Sequence, residues 1–115
     1  MGLTFNRKVA PYRDDLSWLD SREGVTTATT LTLKASAFTE KLVVSGTPVA
    51  RTGDFAVPYN PAGTDGSENL YGFVLYARDV TDGDEPAAVQ RHGDIYVANL
   101  PVEFTPVDHN HFTFA

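Results

Sequence analysis

The sequence contains no cysteine. A disulfide framework, a thiolate nucleophile and a cysteine-ligated zinc site are thereby excluded, while the redox compartment stays open, because disulfide-free proteins are also secreted. Long hydrophobic runs are missing too: nowhere does apolar sequence approach the roughly 20 residues that span a bilayer, and no apolar core follows the first basic residues as a signal peptide would require. Asn6 stands where a myristoylation signal takes Ser or Thr. The expectation is a chain made in the cytoplasm with no membrane partner. Positive charge is scarce as well. Nine Lys and Arg face fifteen Asp and Glu, a formal net charge of −6, so nucleic acid is not expected as a partner, since tracking phosphates takes clustered basic residues.

What is present suffices for one domain. A chain of 115 residues can bury one core without staples, but not two. Residues 1–23 differ from the rest: Arg7, Lys8, Arg13 and Arg22 stand against Asp14, Asp15, Asp20 and Glu23, and Phe5, Tyr12, Leu16, Trp18 and Leu19 are scattered among them. No period of 2 or 3.6 lasts for two turns, and Pro11 interrupts the stretch. It reads as an N-terminal arm, with a short helical turn open to residues 14–19 if Asp14 or Asp15 caps it. An isolated Trp is costly to leave in water, so the alternative is that Trp18 and Leu19 tuck into the core.

From Gly24 the pattern changes. In VTTATTLTL, Val25, Thr27, Thr29, Leu31 and Leu33 share one face and β-branched residues fill the run, which predicts a strand. Phe38, Leu42 and Val44 then supply apolar anchors before a Gly46-Thr47-Pro48 turn. Residues 54–69 form the longest irregular stretch; Phe55, Val57 and Tyr59 alternate there, but Pro58 cannot donate to a ladder, so any strand is expected on an edge. The clearest hairpin joins LYGFVLYARDV to AAVQRHGDIYVANLP through TDGDEP, with His92-Gly93-Asp94 as a tight turn or bulge. The tail VEFTPVDHNHFTFA reads as a last strand or a strap. These signals predict a mostly β chain with little helix, divided into an arm (1–23), a β domain (24–101) and a C-terminal strand or strap (102–115). Leu31, Leu33, Phe38, Leu42, Val44, Val49, Phe73, Leu75, Ile95 and Val97 are expected to be buried.

Candidate chemistry is sparse. His109 and His111 could face one way on a strand, but a metal site needs further ligands, and a solvated turn is the simpler reading. Asp79, Asp82, Asp84 and Glu85 miss the alternating spacing of a calcium loop and fit a hairpin turn better. Gly46-Thr47-Pro48 and the glycine turn at 63–67 lack the Lys and following helix of a phosphate loop. Ser67, His92 and Asp65 can be named as a nucleophile, base and orienter, yet no nucleophile elbow surrounds the serine. No catalytic residue, metal or cofactor is expected.

The order of short motifs carries a resemblance. TTLTL is followed by the Phe38 turn and then by SGTPVAR; Asp65-Gly66-Ser67 precedes Gly72-Phe73-Val74-Leu75, and HGDIYVANLP closes the stretch. Residues 25–101 thus resemble the lambda-type head decoration proteins of tailed phages, particularly those of phages infecting actinobacteria. The resemblance implies a small β-barrel with a tail-like arm, a β-tadpole. It further implies a homotrimer that sits on the outer capsid surface of the virion at threefold positions. There it would bind the major capsid protein and cement the shell, with the arm ordering on it. The capsid-binding residues expected on that arm are Phe5, Arg7, Lys8, Tyr12, Arg13, Leu16 and Trp18. The alternative is a virion-surface module that recognises glycan or protein through loop aromatics such as Tyr59 and Tyr71.

Overall fold

In the computed structural model, residues 16–19, 28–109 and 111–115 are described. Among them run nine strands: β1 Thr29–Leu33, β2 Leu42–Val43, β3 Pro48–Thr52, β4 Phe55–Pro58, β5 Gly72–Val74, β6 Arg78–Asp79, β7 Glu85–Gln90, β8 Gly93–Ile95 and β9 Phe112–Phe114. Only two 3-10 turns, Ala35–Ala37 and Val97–Asn99, supply helix among the described residues. Five strands close into a barrel in the order β1-β4-β3-β5-β7, and β7 pairs back onto β1 from Thr29↔Val89 to Leu33↔Glu85. All barrel ladders are antiparallel except that of β1 with β4. The chain is mostly β, with a small closed barrel at its centre.

The period of 2 along each strand divides the apolar residues between two layers. Leu31 and Leu33 of β1, Val49 of β3, Ala56 of β4, Val74 of β5 and Val89 of β7 point into the barrel and fill it. Phe73 and Leu75 point the other way, into a second cluster outside the barrel wall, together with Trp18, Leu19, Ile95 and Phe112. Buried on both faces, β5 therefore reads as a continuous apolar run rather than an alternation. Gly72 lets β5 and β7 close up there: a Cβ on it would strike the Gln90 carbonyl oxygen and lie 2.8 Å from Val89 Cγ1.

The outer layer is made by the two ends of the described chain. Residues 16–19 form a turn, with Leu19 N–H donating to Leu16 O at 3.0 Å, and Leu19 bridges antiparallel to Ile95. Tyr96 N–H donates to Trp18 O at 2.7 Å and Asn99 Nδ2 to Ser17 O at 3.0 Å. From the other end, β9 pairs in parallel with β8, from Gly93↔Phe112 to Ile95↔Phe114. Phe73 lies at the centre, its ring 5.7 Å from Trp18, 5.5 Å from Phe104 and 5.2 Å from Phe112. The last two contacts are edge-on, the arrangement that ring quadrupoles favour.

Several expectations change. Trp18 is fully buried, with its indole N–H donating to Ser45 Oγ at 3.0 Å, and Leu19 is 4% exposed. Residues 16–19 are thus part of the folded domain, not of an arm reaching to residue 23, because burying the indole beside Phe73 removes its large apolar area from water. On the continuously apolar Leu42-Val43-Val44 the buried face is reversed: Val43 is inside, while Leu42 and Val44 are half-buried. Val97 sits half-buried in a 3-10 turn. β4 is not an edge strand; it lies between β1 and β3. Tyr59 N–H donates to Pro48 O in β3, so the alternate positions Ala56 and Pro58 face β1, whose last pairing is Leu33↔Ala56. The missing N–H of Pro58 falls past the end of β1, where no ladder bond is lost. The hairpin connector also detours: the chain leaves β5, pairs as β6 with β2, and only then returns as β7 to β5.

Candidate functional site

The predicted chemical groups are largely engaged in local structure. His109 and His111 do lie together, with ring centroids 5.6 Å apart. His109 Nδ1 accepts the His111 backbone N–H at 3.1 Å, and its Nε2 stands 2.9 Å from Leu70 O. A carbonyl can only accept, so Nε2 carries the hydrogen and donates. Both ring nitrogens are thereby committed to pinning the tail against residue 70. Among the described residues, no three metal-ligating side chains are grouped.

The acidic connector is a turn with two structural bonds. Asp79 Oδ1 accepts Thr81 N–H at 2.8 Å, and Asp84 Oδ1 accepts Ala35 N–H at 2.8 Å, tying the β6–β7 connector to the 3-10 turn after β1. Asp65 and Ser67 do meet: Ser67 Oγ–H donates to Asp65 Oδ1 at 2.7 Å and Ser67 N–H to the same oxygen at 3.1 Å. The Ser67 hydroxyl, followed by its backbone N–H, holds the Asp65 carboxyl below its ordinary value. His92 does not join them; its described side of the chain is the β7–β8 kink, where its carbonyl accepts from Gln90 Nε2. A serine that donates to an aspartate without an intervening imidazole is a turn lock rather than an activated nucleophile.

Of the expected capsid-binding residues, Phe5, Arg7, Lys8, Tyr12 and Arg13 lie outside the described residues. Leu16 is half-buried against the outer cluster and Trp18 is wholly inside it, so Trp18 has no face to offer another surface. The loop aromatics are also occupied. Tyr59 packs on Phe104 with centroids 5.8 Å apart, and Tyr71 carries two guanidinium groups, those of Arg51 and Arg91, each 5.4 Å from its ring centre. Sequence reading missed this Arg51–Tyr71–Arg91 group, because 20 residues separate each neighbour along the chain and only the register of β3 and β7 on either side of β5 brings them together.

Several concavities open among the described residues. One of about 520 Å³ is polar, with Lys34, Thr52, Asn60, Asp65 and Ser67 in its wall. Two more, of about 470 and 400 Å³, adjoin through the shared residues Thr47, Pro58 and Val102 and are lined mainly by apolar and proline side chains. No helix among the described residues is long and apolar enough to cross a membrane. No family model, curated protein or solved structure matches the chain.

Proposed function

We propose that this protein is a structural virion component of the lambda-type decoration class, binding the outer surface of a phage head as a homotrimer and stabilising the shell. The observation that carries the proposal is a small closed barrel, filled by its own side chains, whose outer wall is sealed by segments from both ends of the chain. Such a barrel has no interior room for a ligand. The motifs behind the resemblance fall at its joints: SGTPVAR carries the turn into β3, Asp65-Gly66-Ser67 the locked turn before β5, Gly72-Phe73-Val74 is β5 itself, and HGDIYVANLP runs through β8 and the second 3-10 turn.

Residues 1–15 precede the anchored turn at 16–19 and, fully extended, span up to about 50 Å at roughly 3.3 to 3.6 Å per residue. That reach brings Phe5, Arg7, Lys8, Tyr12 and Arg13 to neighbouring shell subunits. Three such segments on one trimer combine weak contacts into avidity. The test is co-sedimentation of the purified protein with shells that lack it, alongside light scattering of the free protein. Capsid-bound protein and a trimer mass are expected. Protein that stays in the supernatant with shells at micromolar concentration overturns the reading.

A further inference from the structure

We infer that Arg51, Tyr71 and Arg91 form a recognition site for an acidic segment of a partner protein, one that presents two carboxylates from an extended chain. Tyr71 leads into β5, and the arginines come from the two strands beside it, Arg51 from β3 and Arg91 from just past the end of β7. The tyrosine ring is half-buried against the barrel interior and so is fixed in place. Both guanidinium carbons lie 5.4 Å from its centre. The two charges are therefore separated by no more than twice that distance, on a protein where positive charge is scarce.

Stacking on one ring does not remove the repulsion between the two cations, and the protein supplies little to offset it. Arg51 is steered by bonds from Nε to Gly53 O at 2.7 Å and from Nη1 to the Tyr71 hydroxyl at 3.2 Å. Its one carboxylate neighbour among the described residues, Asp54, is 3.9 Å away and 99% exposed, a pair that water screens strongly. Arg91 makes a single long bond from Nη1 to Thr29 Oγ1, at 3.4 Å, and no carboxylate among the described residues lies within ion-pair distance of it. A guanidinium has five N–H donors in a planar fork, so most of the donors of both groups remain for an outside acceptor. The Tyr71 hydroxyl accepts from Arg51 and keeps its own hydrogen to donate.

Carboxylate is the fitting ligand. The fork of a guanidinium takes the two oxygens of a carboxylate together, and a ring-stacked fork has already lost most of the freedom that binding would cost. Alternate side chains of an extended segment lie about 7 Å apart on one face, within the separation available to the two arginines. A nucleic-acid backbone presents a long run of phosphates, and two arginines are too few to track it, whereas they match two carboxylates. The inference stands apart from the decoration reading, since any acidic strand or loop would satisfy it.

The experiment follows the arginine Nε–H resonances of the full chain by NMR during titration with the end-blocked peptide Gly-Glu-Thr-Glu-Gly. The Gly-Gln-Thr-Gln-Gly peptide and inorganic phosphate serve as parallel arms. Arg51 and Arg91 signals are expected to move with the Glu peptide and not with the Gln peptide, and the shift should shrink as salt is raised. Arg91→Gln, at an exposed side chain, should weaken the response about tenfold, the loss of a charge-assisted pair. Arg78→Gln, on β6, should leave it unchanged. No shift at millimolar peptide, an equal response to phosphate as an adventitious anion, or an equal loss in Arg78→Gln overturns the inference.

Discussion

Trp18 is the residue on which the outer layer turns. Its ring is buried, stacks obliquely on Phe73, and lies against Gly46, whose φ of +92° bends the chain beneath it. A Cβ at position 46 would lie 2.7 Å from Pro101 Cδ and 3.0 Å from the Trp18 ring, so the turn, the indole and the strap leave no space between them. Trp18→Ala is therefore expected to cost about 3 to 5 kcal/mol of folding stability, the range for emptying a large aromatic site. Ser45→Ala should cost about 1 to 3 kcal/mol, because it strands the indole N–H without its acceptor. Denaturant unfolding measures both. A Trp18→Ala protein as stable as the parent would mean that the indole is not packed as described.

At the scale of elements, residues 60–67 of the loop between β4 and β5 hold their shape through side-chain and backbone bonds. Asn60 N–H donates to Ser67 O at 2.8 Å, and Asp65 accepts twice from Ser67. The Asp65 carboxyl is held below its ordinary value in the folded loop, so the stabilisation it gives is complete above the ordinary carboxylate range and is lost as pH falls through the lowered value. The Ser67 amide proton resonance should thus move only below the usual aspartate range, and Asp65→Asn should reproduce the acid position at neutral pH. A Ser67 signal that titrates with an ordinary aspartate midpoint would show that the lock is not made. β1 and β5 were legible in the sequence because an alternating or unbroken apolar run of β-branched and aromatic residues has few other uses, whereas β7 was legible only from Ala87 onward, since Glu85-Pro86 read as part of the connector. β8 and β9 were harder to read, since their parallel pairing joins three residues to three others across a segment with no period. Trp18 and Leu19 have no periodic neighbours at all, and only the exposed flank of β5 explains where they go. The Arg51–Tyr71–Arg91 group was hidden for a related reason, as its spacing is a property of strand order and not of sequence.

For the whole molecule, the anchored turn at 16–19 decides how truncation should behave if the proposed decoration role holds. Removing residues 1–15 should leave the barrel, its stability and its oligomeric state intact while weakening attachment to shells. Removing residues 1–19 takes Trp18 and Leu19 from the outer cluster and should also destabilise the fold by several kcal/mol. Parallel melting and shell-binding measurements separate the two effects. A 1–15 deletion that decorates shells as tightly as the full chain would overturn the proposed role of residues 1–15. The two-layer construction also has a kinetic side. The barrel contains one pairing between near neighbours in sequence, that of β3 with β4, which can form early and template the rest. The outer layer has none: Leu19 must find Ile95, Trp18 must find Ser45, and Phe112 must find Phe73 across long loops. The outer layer packs on Phe73, which only a formed β5 wall presents, so its closure is expected last. The protein has a single tryptophan, and it sits in that final seam. In stopped-flow refolding the β signal of the far-ultraviolet dichroism should accordingly appear before the tryptophan emission settles, and simultaneous changes would show that both layers form in one step. On that expectation a single indole is the clock for the moment at which residues 16–19 and 112–114 are sewn onto an already standing barrel.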